Sequence, residues 1–225
     1  KNKNYLLNKK FDDNMRRYNQ FKQYLSKKDV LDFGSGEGEF LDVLKTKKIA
    51  KSISAFEIRK DCLLKLKRKK INTYKNIKNI NKKFDIITMF HVLEHLPNPY
   101  EILKNLKKLL KKNGIIILEL PSNNDVLLNN NKMKNYKNFI LWSEHIVIYS
   151  ESLLSKLFKI LNFKKFEIIN FQRYGLQNHL GWQIFKEPGH ENKFNGLINN
   201  TVDKKYKKFL ELSGATDTFI CVLNK

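Results

Sequence analysis

Residues Val30-Leu31-Asp32-Phe33-Gly34-Ser35-Gly36-Glu37-Gly38-Glu39-Phe40-Leu41 decide how this chain folds. The β-prone run from Val30 to Phe33 stops at three glycines, each one residue apart. An amphipathic helical pattern then begins at Phe40, Leu41 and Leu44. A strand, a tight glycine turn and a helix, in that order, form the entry to a nucleotide-type site in an α/β sheet. Glycines allow unusual φ/ψ values and let a ligand lie against the backbone with no Cβ in the way. The helix that follows offers free N–H groups at its start. A GxGxG turn alone does not name its ligand.

Outward from that turn, the elements alternate. The first strand is expected at about 29–33 with its helix at 39–47, and the second at 52–57 with a helix at 60–70. A short third strand at 71–75 precedes the run Phe84-Asp85-Ile86-Ile87-Thr88-Met89-Phe90. A helix at 99–112 follows Pro97 and Pro99, and Gly114 introduces a strand from Ile115 to Leu120. Strict β/α alternation with apolar strands predicts a parallel sheet covered on both faces. Before the first strand, Tyr5, Leu6, Leu7, Phe11, Met15, Tyr18, Phe21 and Leu25 have helical spacing and predict one or two helices. After it come a helix at 150–161 with Ser150 as N-cap, a strand at 163–171, a helix at 202–213 and a last strand at 217–223. Residues 123–138 read as a mobile surface loop or a poorly formed helix, and 173–200 as irregular.

At 225 residues and 41% apolar content, a single folded domain is expected. It divides into an N-terminal helical segment (1–27), a ligand-binding core (28–125) and acceptor-side elements with the last strands (126–225). No apolar run approaches the ~20 residues of a membrane span. Lys1 to Lys10 is polar and basic with no hydrophobic segment behind it, so neither a signal peptide nor a membrane span is expected, and the expected location is cytoplasmic. Cys62 and Cys221 form no CxxC pair and read as free thiols. The net charge of +22 invites a nucleic-acid reading, but only Arg16, Arg17, Arg59, Arg68 and Arg173 among the 44 basic residues are arginine. The lysines spread through helices rather than interleaving with aromatics, a pattern that favours compositional drift over a nucleic-acid surface.

Three ligands compete for the turn. A nicotinamide site wants G-x-G-x-x-G, and here position 39 is Glu, so the third glycine is out of register. A P-loop needs Gly-Lys-Ser/Thr after four residues, which is absent. The third is S-adenosylmethionine (SAM). Asp32-x-Gly34-x-Gly36-x-Gly38, the acidic Glu57 ending the second strand, the stretch Phe90-His91-Val92-Leu93-Glu94-His95-Leu96-x-x-Pro99 and Leu110 to Ile115 together resemble the class I SAM-dependent methyltransferases over about 28–125. The resemblance implies a Rossmann-like α/β sandwich whose mostly parallel, seven-stranded sheet ends in an antiparallel strand. N-terminal helices and a C-terminal substrate-side insertion would flank it. It also implies SAM as cofactor, S-adenosylhomocysteine (SAH) as product, and cofactor contacts from Asp32, Gly34, Ser35, Gly36, Glu57, Ile58, Asn76, Ile77, Phe90 and His91. A carboxylate at Glu57 can accept both ribose hydroxyl protons.

Farther along, Trp142-Ser143-Glu144-His145, the stretch Gln172 to Trp182, Lys186 to His190 and Gly214-x-x-Asp217-Thr218 are similar to the "methyltransferase domain 23" subgroup. That resemblance implies O-methylation of a bacterial surface-polysaccharide (capsule or lipopolysaccharide) precursor. Transfer to a hydroxyl needs a base, and His145, His179 and His91 are the candidates. Arg173, Tyr174, Lys186 and His190 are candidates for substrate binding, the cations for an anionic group. His91 to His95 also spells H-x-x-E-H, the inverted zinc-protease pattern. That pattern needs a long helix, whereas here a strand precedes it and prolines follow, so no metal is expected. An RNA methyltransferase and a non-catalytic SAM-binding module of a glycan-assembly complex stand as alternatives. The sequence leaves the oligomeric state open.

Overall fold

The computed structural model describes residues 2–194 and 196–225, with side chains from Asp12 onward except those at 191 and 192. The expected side chains Tyr5, Leu6, Leu7 and Phe11 lie outside that description.

The chain runs α1 (Asn2–Leu25), β1 (Asp29–Phe33), α2 (Glu39–Thr46), β2 (Ser52–Phe56), α3 (Lys60–Arg68), β3 (Asn72–Tyr74) and β4 (Phe84–Phe90). It continues through α4 (Pro99–Leu109), β5 (Leu110–Pro121), α5 (Lys134–Ile140), α6 (Glu151–Ile160), β6 (Lys165–Phe171), α7 (Leu176–Phe185), α8 (Asn200–Ser213) and β7 (Thr218–Asn224). Seven strands form one sheet in the order β3-β2-β1-β4-β5-β7-β6. Strands β1 to β5 pair in parallel, and β7 inserts antiparallel between β5 and β6. The chain steps outward from β1 to β3 and then returns to β4 on the other side of β1, so the sheet's switch point lies between β1 and β4. A crevice opens there at the carboxyl ends of the strands, where ligands of open α/β sheets bind.

Alternate residues of the central strands feed two cores. Leu31, Phe33, Ile87, Met89, Ile116 and Leu118 pack with Leu103 and Leu106 of α4 and Leu154 and Phe158 of α6. Val30, Ala55, Ile86 and Ile117 pack on the opposite face with Leu41 and Leu44 of α2, Leu66 of α3 and Phe21 and Leu25 of α1. Ser150 caps α6 as expected, its hydroxyl accepting from the Leu153 N–H. Cys62 and Cys221 are buried free thiols.

Three expectations change. The helix expected at 99–112 ends at Leu109, and β5 starts at Leu110 with a register shift opposite Phe84 to Ile86. The stretch 173–200, expected to be irregular, contains α7. Its buried face is Asn178, His179, Gly181 and Trp182, too polar for an amphipathic pattern to reveal it. Residues 123–138, expected as a loose surface segment, are tied down: Leu127, Met133 and Tyr136 form a small cluster with Trp182. Among the described residues no helix is long and apolar enough to cross a membrane.

Candidate active site

The glycine turn is sewn to the end of β2. The N–H groups of Gly34 and Ser35 donate to the Phe56 carbonyl at 2.8 and 3.2 Å, and Gly38 N–H donates to the Ser35 carbonyl at 2.9 Å. Gly34 and Gly36 both have positive φ, +75° and +56°, yet they serve different purposes. A Cβ on Gly34 would lie 2.4 Å from a Val92 methyl, so this glycine admits the loop after β4. A Cβ on Gly36 would meet nothing nearer than Glu39 Oε2 at 3.9 Å, so this one leaves open space above the turn. Ser35 Oγ beside it is buried with no hydrogen-bond partner among the described residues.

Glu57 locks the turn from beneath. Its carboxylate accepts from the N–H groups of Gly36 (2.8 Å), Ile58 (2.7 Å) and Arg59 (2.9 Å). Asp32 accepts from the Thr88 hydroxyl at 2.7 Å. Burial pushes its pKa up to about 6, against the Thr88 hydrogen bond and the Arg17 charge. A cavity of about 360 Å³ lies above, walled by Asp32, Gly34, Ser35, Gly36, Phe90 and His91 from the sheet side and by Asp13, Asn14 and Arg17 of α1. These residues fit SAM. The open Gly36 and the Ser35 hydroxyl would hold its amino-acid part, and the carboxylates of Asp32 and Glu39 on the same wall would balance its positive charge. Glu57, Ile58, Asn76 and Ile77 do not join this wall: the buried Glu57 carboxylate is turned onto the backbone N–H groups, Ile58 is exposed, and Asn76 caps the short 3-10 turn Ile77–Asn79.

The α1 wall is held by a group that sequence reasoning missed. Glu119 of β5 is buried and accepts from Arg16 at 2.9 Å and Arg17 at 2.7 Å. Burial raises its pKa, but Arg17, His91 and Arg16 outweigh that and hold the carboxyl well below the usual range. A lone Glu inside the apolar run Ile115 to Leu120 was the available signal, since a buried carboxylate requires partners. Arg173 is likewise committed, paired with Asp13 of α1.

His91 ends β4 with φ +54°, its N–H donating to the Glu119 carbonyl at 2.7 Å. Its ring lies between Glu94 Oε1 (Nδ1, 3.3 Å) and Glu119 Oε1 (Nε2, 3.2 Å). Burial lowers its pKa, but the hydrogen bonds to Glu119 and Glu94 outweigh this and the net shift is upward. The H-x-x-E-H stretch runs through a 3-10 turn, Leu93–His95, and not through a long helix.

On the far side of His91 lies a second cavity of about 690 Å³, lined by Tyr136, Phe139, Trp142, Tyr174 and Trp182 along with Glu94, His145 and Arg173. His145 is half-buried, and its Nδ1–H donates to the Ile140 carbonyl at 2.6 Å. Burial lowers its pKa despite that hydrogen bond. His179 is not on this wall. It is buried, with Nδ1 on the Tyr206 hydroxyl at 2.8 Å and Nε2 facing the Gln172 amide at 3.3 Å, and burial drives its pKa down to about 4. Lys186 ends α7, and His190 pairs with Glu187 at 2.8 Å; neither lines the cavity, although Pro188 and Gly189 between them do. Asp217 accepts from the N–H groups of Arg173 and Tyr174 at 3.0 and 2.9 Å and so holds the segment that carries them.

Comparison with known proteins places the chain in a family. A family model described as a methyltransferase domain matches residues 7–168. The ubiquinone biosynthesis O-methyltransferase of Glaesserella parasuis serovar 5 (strain SH0165) is 37% identical over 65 residues, 29% of this chain and 24% of that protein. The chain thus spans about a quarter of that curated relative. A SAM-dependent methyltransferase from Archaeoglobus fulgidus shares the fold with a TM-score of 0.65 at 19% identity, covering 98% of this chain and 99% of that one. The plantazolicin methyltransferase BpumL, solved with a pentazolic desmethylPZN analog and SAH, superposes with a TM-score of 0.56 at 16% identity over 88% of this chain and 76% of its own. The chain belongs to the methyltransferase-domain family.

Proposed function

We propose that the chain is an O-methyltransferase acting on a hydroxyl of a ring compound held in the aromatic cavity, with a sugar of a bacterial surface-glycan precursor as the acceptor class. One observation carries this reading: His91 and Arg173 stand on the walls of both cavities, so the glycine-turn site and the aromatic site meet at these two side chains. SAM supplies a methyl group on a sulfonium, and the chain's task is to align an oxygen with it. The aromatic side chains offer apolar faces to the C–H face of a sugar ring. At about 690 Å³ the cavity has the size of a small-molecule site, which favours a small acceptor over folded RNA. His91, at the junction, acts as the base in its neutral form: Nδ1–H donates to Glu94, the Nε2 lone pair beside the Arg173 guanidinium (3.3 Å) takes the hydroxyl proton, and Glu119 then accepts the new Nε2–H. A phosphate on a nucleotide-linked acceptor would compete with Asp13 for Arg173. A phenolic acceptor is a second reading, favoured by the aromatic wall and by the name of the curated relative.

Incubation with methyl-labelled SAM and separate pools of glycan precursors, phenols and RNA tests this. Label in the glycan pool, falling by about 10²–10⁴-fold in His91→Asn, is the expected result. Label in phenols selects the second reading, and label in RNA overturns both. SAM binding with no SAH formed from any pool would make the chain a binding module without turnover.

A further inference from the structure

The 3-10 turn after β4 and the segment before α6 bring Glu94, His95 and His145 together. One donor atom from each lies within 4.8 Å of those of the other two. Two features make this more than a chance cluster of titratable groups. The first is the set of tautomers. His95 Nδ1–H donates to the Glu144 carbonyl and His145 Nδ1–H to the Ile140 carbonyl, both at 2.6 Å. A carbonyl only accepts, so each ring carries its proton on Nδ1 and keeps the Nε2 lone pair. Metal-binding histidines are oriented in this way, with the second nitrogen tied to a backbone carbonyl. The two rings are 4.8 Å apart, centroid to centroid. The second feature is Glu94, which is fully buried. Its Oε1 reaches His91, while its Oε2 has no hydrogen-bond partner among the described residues. An unpaired carboxylate oxygen away from water is costly, and a cation is what satisfies it.

We infer that Glu94, His95 and His145 form a binding site for a divalent transition-metal ion of the zinc class, at the floor of the aromatic cavity. Two imidazoles and one carboxylate match the preferences of zinc and its first-row neighbours rather than those of calcium or magnesium. Tetrahedral donors about 2.0–2.1 Å from one ion lie about 3.3 Å apart, so loading draws the groups together by at most about 1.5 Å through side-chain rotation. This set differs from the inverted zinc-protease pattern in the same stretch. His91 is no ligand here, because its ring is held between two carboxylates. The third ligand comes instead from His145, some 50 residues downstream. Glu94 and His145 both line the cavity, so the open coordination positions face it. Resting on the acceptor reading above, a hydroxyl bound there would shed its proton more readily.

The test uses the full chain, freed of any affinity tag and stripped with a chelator, then titrated with Zn²⁺ against a chromophoric competitor, with metal content measured after desalting. One ion per chain is expected. Glu94→Gln, His95→Asn and His145→Gln should each weaken it by at least about 100-fold, more than an outer partner of a metal ligand costs. His190→Ala should leave the affinity unchanged. SAH binding and melting temperature report folding of each variant, and His145, which is half-exposed, is the substitution least able to disturb the core. An affinity unchanged in folded His145→Gln and His95→Asn, or no ion retained by the wild type, overturns the site. An ion bound at these groups without methyl transfer would sink the acceptor reading and leave the site standing. Methyl transfer by a chain that takes no ion would sink the site alone.

Discussion

Replacing Gly34 and Gly36 by alanine, one at a time, separates the packing glycine from the ligand-bearing one. Both have φ in the left-handed region, where a non-glycine residue is penalised by about 1–2 kcal/mol. Part of that is offset because alanine restricts the unfolded chain, worth about 0.4–1 kcal/mol. Gly36→Ala adds no clash, since its Cβ would stand 3.9 Å from the nearest atom, so its net destabilisation should be about 1 kcal/mol. Gly34→Ala brings a Cβ to 2.4 Å from Val92 Cγ2. Val92 is β-branched and stiff about χ1, so overpacking adds about 1–3 kcal/mol. The total there should be about 2–4 kcal/mol. Ligand binding should run the other way. The new methyl on Gly36 occupies the open face of the turn and should weaken SAH by at least about tenfold, or ~1.4 kcal/mol. Gly34→Ala, once folded, should lose less. Urea denaturation and calorimetric titration with SAH measure the two effects on the same samples. Wild-type SAH affinity in Gly36→Ala would refute the assignment of that glycine as the cradle.

Three other perturbations probe the rest of the molecule. Glu119→Gln keeps the side-chain shape but leaves Arg16 and Arg17 without their buried counter-charge, so urea denaturation should show a loss of about 3–5 kcal/mol; a loss below 1 kcal/mol would mean that the α1 wall is held by other contacts. His179, with a pKa of about 4 folded against 6.5 unfolded, is neutral in the native state, so its stability contribution is whole above pH 6.5 and drains away as the pH falls towards 4. At 1.36 kcal/mol per pH unit the drain totals about 3 kcal/mol, and the stability gap between wild type and His179→Gln should shift by about 2–3 kcal/mol in favour of the variant between pH ~7.5 and ~4.5. A gap independent of pH would contradict the burial argument. Phe139 is half-exposed on the cavity wall, so Phe139→Ala should raise KM for the acceptor while stability stays within about 0.5 kcal/mol and SAH affinity is unchanged; an unchanged KM would remove this wall from acceptor binding.

The sequence by itself determined the sheet and the glycine turn. Strand period, glycine spacing and Glu57 are local signals: the apolar runs of β1, β4 and β5 must be covered on both faces, and the turn between β1 and α2 lies within a dozen residues. Even there it could not tell Gly34 from Gly36, because the difference is a Val92 methyl more than 50 residues away. Tertiary structure decided the acceptor side. His179 has the same chemistry as His145, but α7 turns it inward onto Tyr206 and Gln172 while the segment before α6 leaves His145 on the cavity wall. Arg173 is committed to Asp13 and Glu119 to two arginines of α1, pairings that span 160 and about 100 residues of chain. Burial and charge pairing are properties of groups brought together by the fold, and the order of residues along the chain does not carry them.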